Sequence, residues 1–451
     1  MRPDPRRLAR PRRFGRAALN NFSERRFART GSAAFTFRSP RETPRMTLPR
    51  PSRRAWLLLA LLFGIGLLNY LDRQTLSILK ATLKDELTLT DTHYSWLVTA
   101  FMGPYIVFYI VSGRLVDRFG TRISLAAFTG VWSLANILSG LATGFGQLAG
   151  ARALLGAAEP GAFPAIQRVM MTWFPKERRA FAWSLLSPCT TVGAILAPPL
   201  VAALTGWWSW HLAFIIPGIA GIALALVWWA ADRNPPPLPG EAEAAPEPPT
   251  MREILADRRV WLLLAARALT DPVWYFHLFW LPGYLQERLG VSLPQLGWIG
   301  WIPSFVASAA VMATGRTTDF FVGRGHSPVR VRVTMFAAAA AFAPVGAFTT
   351  FAPSITWALV LISLVAIVCQ IWFFGQGLLV ADVFPKTSAA TIAGLLGAVG
   401  ASGGMLLNLA AGPLIERAGY VPVFVGLACL HPLAALMLWR AQPRLTTDSA
   451  T

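Results

Sequence analysis

Long apolar runs separated by short polar breaks dominate the chain. A helix needs about 20 mainly apolar residues to cross a bilayer, and twelve runs approach that length. A polar break divides them into two sets, so the pattern predicts an all-α polytopic membrane protein with twelve transmembrane helices in two six-helix halves. Runs 1 to 6 lie near 56–78, 94–114, 123–143, 147–171, 180–204 and 209–231, and runs 7 to 12 near 260–285, 294–314, 331–351, 355–381, 390–413 and 421–440.

The breaks also define the predicted domain organisation. The stretch between the two sets contains three consecutive prolines and several acidic residues, which is typical of a linker. The predicted segments are a disordered basic N-terminal tail (1–54), a first half (55–231), a central cytoplasmic linker (232–259), a second half (260–440) and a short cytoplasmic tail (441–451).

Composition favours a lipid environment. The chain is 54% hydrophobic and 14% charged, with a mean hydropathy of +0.48, whereas soluble domains are about 25% charged. A soluble protein this apolar would expose large apolar patches. The 18 Trp and 28 Phe suit the aromatic belts of membrane interfaces, so we expect a lipid bilayer around the protein.

The net charge of +19 is concentrated at the N-terminus, because residues 1–55 hold 16 Arg against three acidic residues. The sequence shows no basic groove or stacking platform, so we expect no nucleic-acid partner. Residues 1–45 are Arg-rich and acid-poor like an organellar transit peptide, and Met46 offers another start. We hypothesise that this segment is disordered and is an artefact of upstream translation. Detection of native peptides from residues 1–45 by mass spectrometry would contradict the artefact hypothesis.

Lys and Arg residues of the short loops predict the orientation, because cytoplasmic loops carry an excess of them. They gather after even-numbered runs, on the side of the basic tail. We therefore expect this side, with both termini, to be cytoplasmic and the protein to lie in a bacterial inner membrane. The loop residues are Arg114, Arg118, Arg122, Lys176, Arg178, Arg179, Arg316, Arg324, Arg330, Arg332 and Lys386.

Two short motifs recur in the two halves. The sequence Gly-Arg-Leu-Val-Asp at 113–117, after run 2, matches Gly-Arg-Thr-Thr-Asp at 315–319, after run 8. Phe-Pro-Lys at 174–176, after run 4, matches the same tripeptide at 384–386, after run 10. These repeats indicate duplicated halves, a layout that suits alternating access around a midplane site.

Run 1 places a polar group inside the membrane, where charges are costly and usually functional. Tyr70 and Arg73 are three residues apart and share a helix face. Asp72 points roughly 100° away from Arg73. One face can hold an anion while its neighbour carries a proton. The alternative is a self-neutralising pair near the membrane interface.

Run 4 carries Arg152 and Glu159, seven residues apart. Two helical turns separate them by about 10 Å on one face, so we expect each to have another partner. The planar fork of Arg152 suits a carboxylate. Glu159 lies among Ala, Pro and Gly, where proton uptake would remove a costly charge. The alternative is a structural ion-pair network that holds helices 1 and 4 together.

Run 7 adds Arg267, Asp271, Trp274 and Tyr275. Arg267 and Asp271 are four apart and can pair on one face. Trp274 and Tyr275 can stack on a sugar ring or donate hydrogen bonds. Interfacial anchoring of both aromatic rings is the alternative.

The sequence lacks the patterns of other function classes. No phosphate-binding loop, metal-spaced His/Cys set or nucleophile elbow is visible, so we expect no enzyme activity, no metal and no cofactor. Charged residues cluster at one depth rather than forming the rings of a channel. A non-transporting sensor stays an alternative. The three Cys residues lie in apolar runs, so we expect no disulfide.

Several motifs resemble a known family. The segment 113–122 resembles the signature loop of the major facilitator superfamily. The segments 70–77 and 152–164 resemble helices 1 and 4 of its anion:cation symporter branch. The helix 7 segments 269–276 and 279–282 are similar to hexuronate transporters of that branch. The resemblance covers about residues 55–440.

The resemblance implies proton-coupled symport of a sugar-acid anion, such as a hexuronate, by a monomer. It implies that Tyr70, Arg73 and Arg152 contact the substrate, and that Asp72 and Glu159 carry protons. Run 5 departs from the family, because residues 187–191 replace a run rich in Asn. An aldonate, a dicarboxylate or phosphate is therefore an alternative substrate. The resemblance also implies a loop that stabilises one access state, which would include Gly113, Asp117, Arg118, Gly315 and Asp319.

Overall fold

Helices make up nearly all of the chain that the computed structural model describes, residues 51–233 and 249–446. Two 3₁₀ segments, Glu159–Gly161 and Ala343–Phe351, interrupt the α-helices. The α-helices are α1 (Arg53–Ile78), α2 (Lys80–Glu86), α3 (Asp91–Gly140), α4 (Phe145–Ala158), α5 (Ala162–Trp173), α6 (Lys176–Leu186), α7 (Pro188–Trp207), α8 (Trp210–Ala231), α9 (Met251–Ala256), α10 (Arg258–Leu289), α11 (Leu293–Ile299), α12 (Ile302–Gly323), α13 (Pro328–Ala340), α14 (Ile355–Val383), α15 (Lys386–Ala418) and α16 (Val421–Thr446).

The twelve predicted runs all lie on these helices, which confirms the predicted fold class. Runs 2 and 3 share α3, and run 4 is divided into α4, a 3₁₀ turn and α5. Within the described ranges, nine helical segments are long and apolar enough to cross a membrane by length and composition. They count α3 once and do not include runs 4 and 7.

The kink in α3 lies at Gly120. Its φ of 74° and ψ of 170° belong to a region that only glycine adopts without strain. The kink divides α3 into two helical stretches, which carry runs 2 and 3.

The two halves are tied together at one end of the bundle, which we call the Lys80 end. Lys80 is fully buried. Its Nζ lies 2.7 Å from Asp91 Oδ1 and 3.1 Å from Glu287 Oε2, and it donates a hydrogen bond of 2.8 Å to the Tyr420 hydroxyl. Lys80 and Asp91 belong to the first half, and Glu287 and Tyr420 belong to the second.

The opposite end, where α8 ends and α10 begins, we call the linker end. Ion pairs there join residues of the same half. Arg168 pairs with Asp117 in the first half, and Arg332 pairs with Asp382 in the second. Ionic contact between the halves is therefore concentrated at the Lys80 end of the described structure.

The segment boundaries differ slightly from the predicted domains. The short helix α9 lies within the predicted linker, and α16 continues to Thr446. Residues 1–50, 234–248 and 447–451 lie outside the described residues, so the predicted disorder of the tail stays a prediction. The thiols of Cys189, Cys369 and Cys429 are all free.

Candidate functional site

A buried ion pair joins α1 to the 3₁₀ turn after α4. The Arg73 guanidinium donates to Glu159 Oε2 from Nη2 at 2.7 Å and from Nε at 3.3 Å. The side chains are 10% and 0% exposed, and the second oxygen of Glu159 has no partner. Pro160 and Gly161 follow Glu159 in the turn that places this carboxylate. The ion-pair alternative for helices 1 and 4 therefore describes the observed contact.

Arg152 of α4 is fully buried and, within the described chain, none of its three guanidinium nitrogens has a hydrogen-bond partner. The guanidinium lies 5.2 Å from the centre of the Phe101 ring. An uncompensated charge in a low-dielectric interior costs several kcal/mol. A bound anion would remove this cost, and the planar fork matches a carboxylate.

Aromatic rings of α1 and α3 surround the Arg73 guanidinium. Its central carbon lies 5.8 Å from the ring centre of Tyr70, 5.4 Å from Phe101 and 4.9 Å from Tyr105. Phe101 therefore contacts both arginines. Sequence reasoning missed Phe101 and Tyr105, although their spacing of four residues on run 2 was a usable signal.

Asp72 lies on a different face of α1, as its angular offset from Arg73 predicts. The Asn136 amide donates to Asp72 Oδ1 at 2.8 Å and to the Phe214 carbonyl at 3.0 Å. Asp72 Oδ2 is buried without a partner. Asp72 thus faces α3 and α8 inside the first half. Sequence reasoning missed Asn136, which lies among the apolar residues of run 3.

The predicted residues of run 7 form two groups on α10. Tyr275 stacks on Phe279 at 6.2 Å between ring centres, and Phe279 lies 6.3 Å from Phe101. This contact brings Tyr275 next to the site in the first half. Trp274 lies 6.5 Å from the Phe373 ring of α14.

Arg267 and Asp271 pair as their spacing predicts, with Arg267 Nε 2.7 Å from Asp271 Oδ2. The Arg267 guanidinium also lies over the Phe373 ring, at 4.1 Å. Arg267, Asp271 and Trp274 therefore share one neighbourhood between α10 and α14.

The two predicted switch loops differ in their contacts. Asp117 pairs with Arg168 of α5 at 2.7 Å, and sequence reasoning missed this arginine. Arg118 lies over the neighbouring Phe119 ring. At Gly113, no atom of a neighbouring element would lie within 4 Å of a Cβ.

The second loop is not a loop but part of α12. Gly315 and Asp319 lie inside this helix. A Cβ on Gly315 would also meet nothing within 4 Å, and Asp319 is exposed. Both copies of the repeated sequence are therefore helical: 113–117 lies in α3, before the kink at Gly120, and 315–319 lies in α12.

Comparison with known proteins places this site in a family context. The family model of the Major Facilitator Superfamily matches residues 62–408. The crystal structure of a bacterial homolog to the human lysosomal transporter Spinster, inward-facing and unoccupied, has a TM-score of 0.69 at 21% identity and covers 88% of this chain and 97% of that chain. This likeness shows the fold.

Curated relatives match over most of the chain. The hexuronate transporter of Escherichia coli (strain K12) is 29% identical over 411 residues, which cover 85% of this chain and 93% of that protein. The D-galactonate transporter of Escherichia coli O6:H1 is 26% identical over 419 residues, with coverages of 86% and 95%. The galacturonate transporter of Dickeya chrysanthemi is 27% identical over 276 residues, with coverages of 58% and 80%.

Proposed function

Because this chain belongs to the Major Facilitator Superfamily, whose members are membrane transporters and not enzymes, we propose that it imports a sugar-acid anion together with protons. A hexuronate is the first candidate. The observation that carries the proposal is the fully buried Arg152 guanidinium, whose three nitrogens find no partner in the described residues. An anion between Arg152 and Arg73 would satisfy both cations.

The names of the relatives support the substrate class. Two of them are transporters of hexuronate and galacturonate, and a third is a transporter of galactonate. An aldonate is therefore the second candidate, ahead of a dicarboxylate or phosphate. Residues 187–191 in run 5 differ from the family pattern, so this chain can recognise the hydroxyl groups of its substrate differently from the relatives.

Proton coupling follows from competition for Arg73. Glu159 occupies Arg73 in the described structure, so an anion reaches this guanidinium only when the pair is weakened. A proton on Glu159 removes the attraction, and the anion takes its place. Asp72, buried against Asn136 with one free oxygen, supplies a second protonation site. Substrate and proton then enter together.

We propose that the linker end is cytoplasmic, since the basic short loops lie there. The Lys80 end would face the periplasm of a bacterial inner membrane. Because the ion pairs between the halves are at the Lys80 end, the described conformation would be inward-facing. Release of the anion toward the cytoplasm would then follow loss of the proton from Glu159.

Uptake by purified protein in liposomes tests the proposal. The wild type should accumulate radiolabelled galacturonate or glucuronate when the outside is acidic. Glu159→Gln should lose accumulation and retain exchange, because its side chain stays neutral. Arg152→Gln should lose binding, since removal of one buried charge partner costs about 3–5 kcal/mol.

Arg252→Gln is the matched control, because Arg252 is exposed on α9. It should transport like the wild type. Wild-type uptake that ignores the pH gradient, or proton-driven accumulation by Glu159→Gln, would refute proton coupling. Unchanged affinity of Arg152→Gln for every transported anion would remove Arg152 from the site.

A further inference from the structure

A second buried ion pair lies on the face of α10 that also carries Tyr275 and Phe279. Arg267, Asp271, Tyr275 and Phe279 are spaced by four residues and share this face. The side chains of Arg267 and Asp271 are 7% and 3% exposed. Arg267 Nη1 donates to the Phe373 carbonyl at 2.9 Å, and the guanidinium lies 4.1 Å from the Phe373 ring centre.

The fold holds Asp271 in place from the opposite side. A Cβ on Gly400 of α15 would lie 2.0 Å from Asp271 Oδ2, so only glycine leaves room for the carboxylate. Burial of such a pair is often neutral or unfavourable for stability compared with apolar residues. Stability alone is therefore a poor reason for this arrangement, and recognition of a polar ligand is a better one.

Two aromatic columns connect this pair to the arginines of the first half. On α10, Tyr275 stacks on Phe279, which contacts Phe101 beside Arg73 and Arg152.

The second column is on α3. Its rings are Phe101, Tyr105 and Tyr109, with centres 5.5 Å and 5.9 Å apart. The Tyr109 hydroxyl would lie 3.5 Å from a Cβ on Gly397, one turn before Gly400, which contacts Asp271. The columns thus extend from the level of Arg73 to the level of Asp271.

The path leads from the carboxylate site toward Asp271. Phe279 lies eight positions after Asp271, which corresponds to a rise of about 12 Å along α10. An extended chain of six carbons spans about 6 Å, so a carboxylate held by Arg152 and Arg73 directs the far end of the molecule along the rings toward Asp271. Aromatic rings on both sides suit the apolar faces of a sugar.

We propose that Arg267 and Asp271 form a specificity site for the end of the sugar acid that lies far from its transported carboxylate. The inference rests on the proposed function. Asp271 accepts hydrogen bonds from hydroxyl groups, and Arg267 donates to hydroxyl or carbonyl oxygens. Because Asp271 neutralises Arg267, the pair accepts an uncharged far end, as in a hexuronate or an aldonate. It disfavours the second carboxylate of an aldarate.

Competition among three anions of equal carbon number tests the site. Glucuronate, gluconate and glucarate differ at the end that lies far from the transported carboxylate. The ability of each to compete with uptake of radiolabelled glucuronate is measured in liposomes. Asp271→Asn leaves Arg267 without its counter-charge, so the preference for glucarate relative to glucuronate should rise at least tenfold. Glu86→Gln, which removes an exposed carboxylate on α2, should leave the ratio unchanged.

An unchanged ratio in folded Asp271→Asn would overturn the inference. If this variant does not fold, Arg267→Gln serves as the second test. It should reduce the preference for glucuronate over the shorter anion glycerate about tenfold. An unchanged preference in Arg267→Gln would also overturn it. Wild-type protein that transports none of the three sugar acids would instead refute the proposed function, so the two failures are distinguishable.

Discussion

Two buried arginines of the first half differ in their partners, and this difference sets the chemistry of the site. Arg73 donates to Glu159, whereas no guanidinium nitrogen of Arg152 has a hydrogen-bond partner among the described residues. Exchange between an internal carboxylate and an external one is possible because both bind the same kind of guanidinium. A single fixed pair would leave no cation for a ligand.

At the same scale, Asn136 should position the Asp72 carboxyl. Asn136→Leu removes the amide that donates to Asp72 and leaves a buried polar group unsatisfied, which costs about 1–3 kcal/mol. Thermal unfolding in detergent should show a lower midpoint than the wild type.

Asn69→Leu is the matched control, because the amide nitrogen of Asn69 is buried without a partner. Its midpoint should fall less or rise. Equal losses in both variants would contradict a specific role for the Asn136–Asp72 hydrogen bond.

At the scale of the element, the kink of α3 depends on one backbone conformation. Gly120→Ala forces a side chain onto a φ of 74°, at a cost of about 1–3 kcal/mol. We expect a lower midpoint of thermal unfolding for this variant.

Gly113→Ala lies in the same helix and supplies the comparison. A Cβ there meets no atom of a neighbouring element within 4 Å, and alanine stabilises a helix interior by about 0.5–1 kcal/mol relative to glycine. The midpoint of this variant should stay or rise. A loss as large as that of Gly120→Ala would show a close contact at Gly113 after all.

The start of α10 depends on Asp257, whose side chain accepts a hydrogen bond of 2.8 Å from the Arg259 backbone N–H. Burial opposes ionisation, but hydrogen bonds from the Arg259 side chain and backbone hold the pKa of Asp257 below its usual value. Asp257→Ala should cost about 1 kcal/mol at neutral pH.

A lowered pKa gives the sign of the pH dependence. The contribution of Asp257 is present above the unfolded pKa of about 3.9 and is lost as the pH falls through the lower folded value. The difference in unfolding midpoint between the wild type and Asp257→Ala should therefore shrink toward acid pH. A difference that grows on acidification would contradict this assignment.

At the scale of the whole molecule, Lys80 holds two carboxylates of opposite halves together. Lys80→Met leaves Asp91 and Glu287 facing only Lys84, which is 23% exposed and screened by water. The carboxylates should then repel each other and separate the halves at this end. Lys84→Met should have a smaller effect, because exposed pairs contribute about 0–1 kcal/mol.

Double electron–electron resonance between spin labels at positions Glu86 and Gln295 measures the distance between the halves and would detect this opening. These positions are exposed on α2 and α11, in different halves. In a background without the native cysteines, Lys80→Met should add a longer distance that Lys84→Met lacks. Identical distributions for both variants would show that Lys80 does not hold the halves closed.

The sequence by itself determined the membrane fold and most of the candidate residues. The length and apolarity of the runs predict transmembrane helices, because a helix satisfies its backbone hydrogen bonds internally and few other backbone conformations do so in a bilayer. Charged residues inside these runs stand out for the same energetic reason, so Arg73, Arg152 and Glu159 were found without coordinates. The spacing of Arg267 and Asp271 likewise predicts their pair.

Only the tertiary structure decided which charges meet. Partners such as Arg73 and Glu159 are 86 residues apart, and helical periodicity carries no information about contacts between distant helices. Asn136, Phe101 and Arg168 look ordinary within their runs, and their roles arise from what packs against them. That Arg152 is fully buried with no hydrogen-bond partner among the described residues is also a tertiary fact, because only the packing of the surrounding helices decides which side chains its guanidinium meets.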